Sequence, residues 1–436
     1  MRNRYIYCIK SKKEFTEKLV FWAKKYEHSC LLNSNEQNLK MPKNYVEYDF
    51  LFAVGAHKIC CPKNNSFKKL RAFYEQNKDW MFGYFSYDLK NETEGLNSNN
   101  LDNLFFPYLF FFIPQIVFSM KEETLYVDTF ADKKETEFII EQIKNQSIDK
   151  GYFEGLKVQK RESEAEYLEK IKQIKSHIKR GDIYEMNYCQ EFFSENAEIN
   201  AEALFFRLNV ITQAPFSAFL HLEDKYLICS SPERFLRKEN QQLLSQPIKG
   251  TRKRSVKKEI DFQLQMELLN SEKDKSENVM ITDLVRNDLS KYAEKASVKV
   301  EELFGGYSFE QVHQMISTIT AELSNKYHFI DAIKGAFPMG SMTGAPKKKA
   351  MELIEKFETT KRGLFSGSVG YINPNSDFDF NVVIRSILYN STKKYFSVMA
   401  GGAITAKSIP KEEYEECLVK VKAILEIASG EKAEEI

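Results

Sequence analysis

The chain has 436 residues, 43% of them hydrophobic, with 63 Lys and Arg set against 62 Asp and Glu. A formal charge of +1 gives no general attraction to nucleic acid or to an anionic membrane surface, so any cationic site must be local. The seven cysteines (Cys8, Cys30, Cys60, Cys61, Cys189, Cys229 and Cys417) are odd in number, scattered and without Cys-x-x-Cys spacing, which argues against a disulfide framework or a structural zinc site.

The first residues, Met-Arg-Asn-Arg-Tyr-Ile-Tyr, contain no apolar h-region, so a cytoplasmic protein without a signal peptide is expected. "NETEGLNSNNLDN" (Asn91 to Asn103) is polar and aperiodic and predicts an exposed loop. The most apolar run, Leu104 to Phe118, is aromatic-rich and interrupted by Pro107 and Pro114, and it is shorter than the roughly 20 residues of a membrane-spanning helix. It predicts buried strands. The polar stretch from Asn145 to Ser163 predicts a junction between an N-terminal region, 1–150, and a second region, 160–428.

Beyond the junction, Ser163 and Glu166 stand at capping-box spacing, Tyr167, Ile171, Ile174 and Ile178 form one stripe, and Gly181 supplies a stop, which together predict a helix. A strand, "IYEMNYCQEF", follows. "ENVMITDLVRNDLSKYA" places Met280, Ile281, Leu284 and Val285 at helical spacing. "PKEEYEECLVKVKAILEIA" begins with Pro410 at a helical N1 position and aligns Tyr414, Leu418, Val421 and Leu425. The runs "GLFSGSVGYI", "FNVVIRSILY" and "YFSVMAGGAI" read as strands. Strands adjacent to strands favour an α+β class over a regularly alternating parallel sheet.

Several segments could carry chemistry, each with a plainer alternative. In "FPMGSMTGAPKKKAMELI", Gly340 and Gly344 would let the backbone approach a ligand, and Pro346 suits a first helical turn; an ordinary tight turn accounts for them equally well. Glu416 and Lys420 are four apart and could be a solvated helix pair, or Glu416 could join Glu277 in holding a hard cation. Arg385 lies in an apolar run and requires a carboxylate partner from the protein or from a ligand, unless its head reaches solvent. His313 is a helix histidine or a catalytic one. Lys249, between Pro247-Ile248 and Gly250-Thr251, is either a solvated turn lysine or a nucleophile whose amine is kept neutral by burial or by Arg252, Lys253 and Arg254.

Taken in order, "SSPERF", "PIKGTRKR", "ENVMITDLVRNDL", "VHQMISTITAEL", "FPMGSMTGAPKKKAMELI", "FSGSVGYI" and "AGGAITAKSIPKEEYEECLVKVKAIL" closely resemble the chorismate-binding enzyme family. The resemblance implies a large antiparallel β-sandwich core with surrounding helices, the N-terminal region packing onto the catalytic one. Family members that form anthranilate read Pro-Ile-Ala-Gly-Thr, whereas those that aminate chorismate at C4 read Pro-Ile-Lys-Gly-Thr, as this chain does. The resemblance therefore implies Lys249 as a covalent nucleophile at ring C2, Glu233 as the acid that protonates the leaving C4 hydroxyl, and ammonia as the second nucleophile.

By the same resemblance, Glu277 and Glu416 are expected to hold Mg²⁺. Arg385, Lys420, Thr343, Gly344, Gly401, Gly402, Thr251, His313 and Tyr371 are expected to contact chorismate. The implied partner is a separate glutamine amidotransferase subunit, and the implied product serves 4-aminobenzoate and folate synthesis. At the position where water-using members carry a lysine base and amine-using members usually carry Gln, this chain has Glu185.

Overall fold

In the computed structural model, residues 2–36, 46–149, 155–310 and 312–430 are described. Two antiparallel sheets share one long strand, Leu109–Lys121. Its first residues, Leu109 to Phe112, pair with Met81–Phe85, and Phe111 to Met120 pair with Phe50–Cys60. Pro114 stands in this strand opposite Ala56, next to a register shift, where the missing N–H is tolerated.

From the shared strand the first sheet continues through Phe50–Cys60, His28–Asn33, Phe216–Leu222, Lys225–Ser231, Ser386–Asn390, Tyr395–Ile404 and Glu185–Ser194. The second runs from Met81–Phe85 through Ser368–Ile372, Phe378–Asn381, Arg234–Glu239 and Gln242–Gln246 to Val312–Glu322. Ile248–Lys253 and Lys299–Ser308 also pair with Val312–Glu322. Strands from residues 1–150 are thus hydrogen-bonded to later ones at His28–Asn33 and Met81–Phe85.

Side-chain alternation along each strand sorts the core into two layers. Cys30, Leu51, Ala53 and Met399 face inward to Leu236, Ile319 and Phe380 of the second sheet. Their neighbours Leu31, Phe52 and Val398 face outward and pack with Leu19 and Trp22, Ile171, and Val421 from three covering helices. Each such large apolar side chain contributes about 1.5 to 3 kcal/mol on burial. The architecture is the antiparallel sandwich with outer helices that the motifs imply.

The helix Glu164–Arg180 forms as its capping box and Gly181 stop predict, and Pro410–Ser429 begins with its proline and ends at Gly430 in the left-handed region. The helix expected from Glu277 begins earlier, at Glu272, because Ser271 accepts a hydrogen bond from the Asp274 N–H. Pro346 is the N-cap of Lys347–Phe357, one position before the helical turn expected for it. "FNVVIRSILY" is not one strand: it divides into Phe378–Asn381 and Ser386–Asn390, and Arg385 at the break has φ 50°. His313 lies in a strand, Val312–Glu322, and not in a helix.

The predicted loop at Asn91–Asn103 starts as the short helix Lys90–Glu94. Glu355 then ties the segment down, accepting from Ser98 Oγ at 2.7 Å and from the Asn99 N–H at 2.8 Å. Part of the expected junction, residues 150–154, falls outside the described residues. Among those described, no helix is long and apolar enough to cross a membrane.

Candidate active site

Pro247 interrupts a nearly continuous chain path, Gln242–Gln246 then Ile248–Lys253, along one edge of Val312–Glu322. The register shifts between Ile248 and Thr251, and Gly250 adopts φ 87° within this bulge. A Cβ there would also lie 2.7 Å from Leu268 Cδ1, so only glycine fits. The bulge holds Lys249 at 9% exposure, and its amine makes no hydrogen bond or ion pair among the described residues. Charge interactions connect it to Glu233, Glu277 and Glu416.

The neighbouring cations do not press on Lys249 as expected. Arg252 is ion-paired to Asp274 at 2.9 Å and Arg254 to Asp261 at 2.8 Å, so their charge is largely compensated. Carboxylates surround this lysine. Thr251 follows the bulge in register with Gln314.

Glu233 lies in the Pro232 turn between Lys225–Ser231 and Arg234–Glu239. Its N–H donates to Ser231 Oγ and its carbonyl accepts from the Val382 N–H at 3.0 Å. Burial pushes its carboxyl up to about 7 even though the Ser341 hydroxyl, Lys249, the Ile248 backbone and Arg385 all favour the ionised form. The kinked backbone that breaks the expected strand aims Arg385 at this region. Burial lowers its guanidinium from the usual value, Glu233 partly restores it, and no ion pair forms among the described residues.

The second wall comes from two helices and a strand. On Pro410–Ser429, Lys420 donates to Glu416 Oε1 and to the Gly401 carbonyl, both at 2.7 Å. Glu413, one turn away, pairs with Lys273 at 3.2 Å. A Cβ at Gly401 would lie 1.8 Å from the Tyr188 carbonyl, and one at Gly402 would sit 3.3 to 3.7 Å from Glu413, Lys420 and Glu416. The glycines let the strand pass close beneath this charged face.

Glu416 keeps 49% of its side chain open to solvent, yet Lys420 first, then Lys273 and Lys249, hold its carboxyl below the usual range against the opposing effect of burial. Glu277, on Glu272–Ser290, behaves oppositely. Burial pushes it up to about 7, Lys249 and Lys273 relieve this in part, and Glu185 and Asp274 add to it. Its Oε1 is buried without a hydrogen-bond donor. An orphaned carboxylate oxygen beside a second acid fits a hard cation, which needs only one or two carboxylates when waters and substrate complete its shell.

The turn after Met339 is closed by hydrogen bonds of its own. Thr343, fully buried, donates its hydroxyl toward the Met339 and Gly340 carbonyls at 3.2 and 3.3 Å, and its own carbonyl accepts from the Asn187 N–H at 2.7 Å. A Cβ at Gly344 would approach the Glu185 carbonyl to 2.3 Å. Sequence reasoning missed the anchor of this turn: Arg362 binds Glu358 through two nitrogens at 2.9 and 2.6 Å and donates to the Met342 carbonyl at 2.7 Å. The i,i+4 spacing of Glu358 and Arg362 was its only signal.

Two expected substrate contacts are placed otherwise. Tyr371 packs among Tyr48, Trp80 and Phe82 between the sheets, apart from the Lys249 cluster. His313 is on the Val312–Glu322 strand, but both ring nitrogens are engaged, with Asp261 at 3.0 Å and Ser308 at 2.7 Å.

The sandwich thus brings together a lysine and a guanidinium without ion pairs among the described residues and two carboxyls raised toward neutrality. A family profile described as chorismate binding enzyme matches residues 5–426, and the chain belongs to that family. It is 43% identical over 260 residues to aminodeoxychorismate synthase component 1 of Salmonella typhimurium, a match covering 60% of this chain and 57% of that protein. It is 31% identical over 358 residues to aminodeoxychorismate synthase component 1 of Bacillus subtilis, covering 78% and 75%. The crystal structure of anthranilate synthase component I from Streptococcus pneumoniae superimposes with a TM-score of 0.71 at 26% identity, covering 79% of this chain and 80% of that one.

Proposed function

We propose that this chain converts chorismate and ammonia to 4-amino-4-deoxychorismate. The observation that supports this above all is Lys249, 9% exposed and without a hydrogen bond or ion pair among the described residues, acting by charge on Glu233, whose carboxyl is pushed up to about 7. An acid still partly protonated near neutral pH is thereby presented together with the lysine that this reading makes the nucleophile.

In this reading the neutral Lys249 amine attacks ring C2 with its lone pair, the two conjugated ring double bonds shift, and the C4–O bond breaks as Glu233 protonates the departing hydroxyl, releasing water. Ammonia then attacks C4, both double bonds shift back, and Lys249 leaves C2 as the free amine. Glu233, now a carboxylate, recovers its proton from the nitrogen bound at C4. The sum is one ammonia gained and one water lost.

Arg385, without an ion pair, and Lys420 would receive carboxylates of the dianionic substrate, with Thr343, Gly344, Gly401 and Gly402 forming the surrounding walls. Mg²⁺, held by Glu277 and Glu416, would supply positive charge to a ring carboxylate. Ammonia would come in the cell from a separate glutamine amidotransferase subunit, in keeping with the "component 1" in the names of both relatives.

Product analysis tests the proposal: the purified chain is mixed with chorismate, Mg²⁺ and ammonium, and the products are separated by chromatography. Aminodeoxychorismate is expected. Anthranilate would place the amine at C2 and overturn the role given to Lys249.

A further inference from the structure

Glu185 is a charged group that the proposed reaction does not use. It opens the strand Glu185–Ser194, is paired through its backbone with Ala345, and is 1% exposed. Its Oε2 is sealed from solvent without a donor. Burying a carboxylate without a partner costs free energy, which a bound cation would offset.

Two lysines of the site are committed to other acceptors. Lys273 is paired to Glu413, and Lys420 is held by Glu416 and the Gly401 carbonyl. Lys249 makes no ion pair with Glu185 or any other acid among the described residues. Glu185 acts by charge on another acid, Glu277, whose Oε1 is likewise buried without a donor among the described residues. Unsatisfied oxygens on the buried Glu185 and the partly buried Glu277 suit one shared cation. Glu416, half exposed and already bonded to Lys420, meets that requirement less well than Glu185 does.

We propose that Glu185 and Glu277 present these two oxygens to the same divalent cation, with Glu185 reaching it directly or through a bound water. The inference rests on the metal of the proposed reaction and adds to it a carboxylate from a different wall of the site. Because Ala345 pairs with Glu185 and Gly344 packs on its carbonyl, the cation would also brace the Gly340–Ala345 turn.

Mn²⁺ binding followed by electron paramagnetic resonance, with Mg²⁺ as competitor, tests this on the full chain with and without chorismate. Glu185→Gln preserves shape and removes charge. At least a tenfold loss of Mn²⁺ affinity is expected, comparable to that of Glu277→Gln, with a melting temperature in the absence of metal at or above the parent's, because the substitution removes an uncompensated buried charge. Glu185→Asp, which keeps the charge but withdraws it by one methylene, should lose affinity severalfold and serves if the glutamine variant does not fold. Mn²⁺ binding that is unaffected by either substitution, or a parent chain that binds no Mn²⁺ under either condition, overturns the site.

Failure of the reaction is seen separately. A parent that makes no aminated product while Glu185→Gln loses Mn²⁺ removes the activity and leaves the metal site. Aminated product with Mn²⁺ binding insensitive to Glu185 does the reverse.

Discussion

The amine of Lys420 joins the Glu416 carboxylate to the Gly401 carbonyl, 2.7 Å from each, and so fastens the last helix to the strand beneath it. This contact sets the depth of the charged face that Glu416 presents. Glu416→Gln should keep the bond to Lys420 while removing a cation-attracting charge. Metal titrations of activity are expected to shift to higher Mg²⁺ by about tenfold or more; an unshifted curve would exclude Glu416 as a ligand.

Lys249→Ala should abolish any covalent adduct. Intact-mass measurement after incubation with chorismate and Mg²⁺, without ammonia, should show the adduct on the parent and none on the variant. An adduct that survives the substitution assigns the nucleophile to another residue.

Glu233 must carry its proton to act as an acid. With the carboxyl at about 7, adduct formation should fall as pH rises through that value. Glu233→Gln should lower the rate by about 10² to 10⁴-fold and remove this limb of the pH profile. A variant that retains the limb would assign it to a different group, of which Glu277, also near 7, is the first to test.

The same residue should reduce stability at alkaline pH. A folded-state value of about 7 lies above the ordinary 4.5, so between these values the folded chain binds more protons than the unfolded one and stability falls with rising pH. The shift corresponds to a loss on the order of 3 kcal/mol by pH 8. Glu233→Gln should therefore unfold at higher urea than the parent at pH 8 and at nearly equal urea at pH 4. Equal midpoints at pH 8 would show that burial does not strain this carboxyl.

Arg362→Met leaves Glu358 buried without its ion-pair partner and frees the Met342 carbonyl. Breaking a buried pair on one side costs about 3 to 5 kcal/mol, so a clear drop in denaturation midpoint is expected. The paired change Glu358→Leu with Arg362→Met should recover stability but not the placement of Ser341 and Thr343. It is therefore expected to fold with a raised KM for chorismate, and an unchanged KM would make Arg362 purely structural.

The local elements were legible because their causes are local. A capping box and Gly181 bound one helix, Pro410 begins another, and period-two runs mark the strands of the sandwich. The motifs also named Lys249, Glu233, Glu277 and Glu416, residues from separate elements that the fold brings within reach of one another's charge.

Residue types, and the segments whose caps, turns and periodicity are encoded within a few neighbouring positions, could be read directly from the chain. Their surroundings were set by folding. It paired Arg252 and Arg254 with acids, bent the chain at Arg385, tied both nitrogens of His313 and drew Tyr371 into an aromatic layer. It also anchored the Met342 turn with Arg362 and left Glu185 buried without a donor. Burial, desolvation and charge coupling depend on atoms that separate elements bring together, and spacing within one element carries little record of those distances.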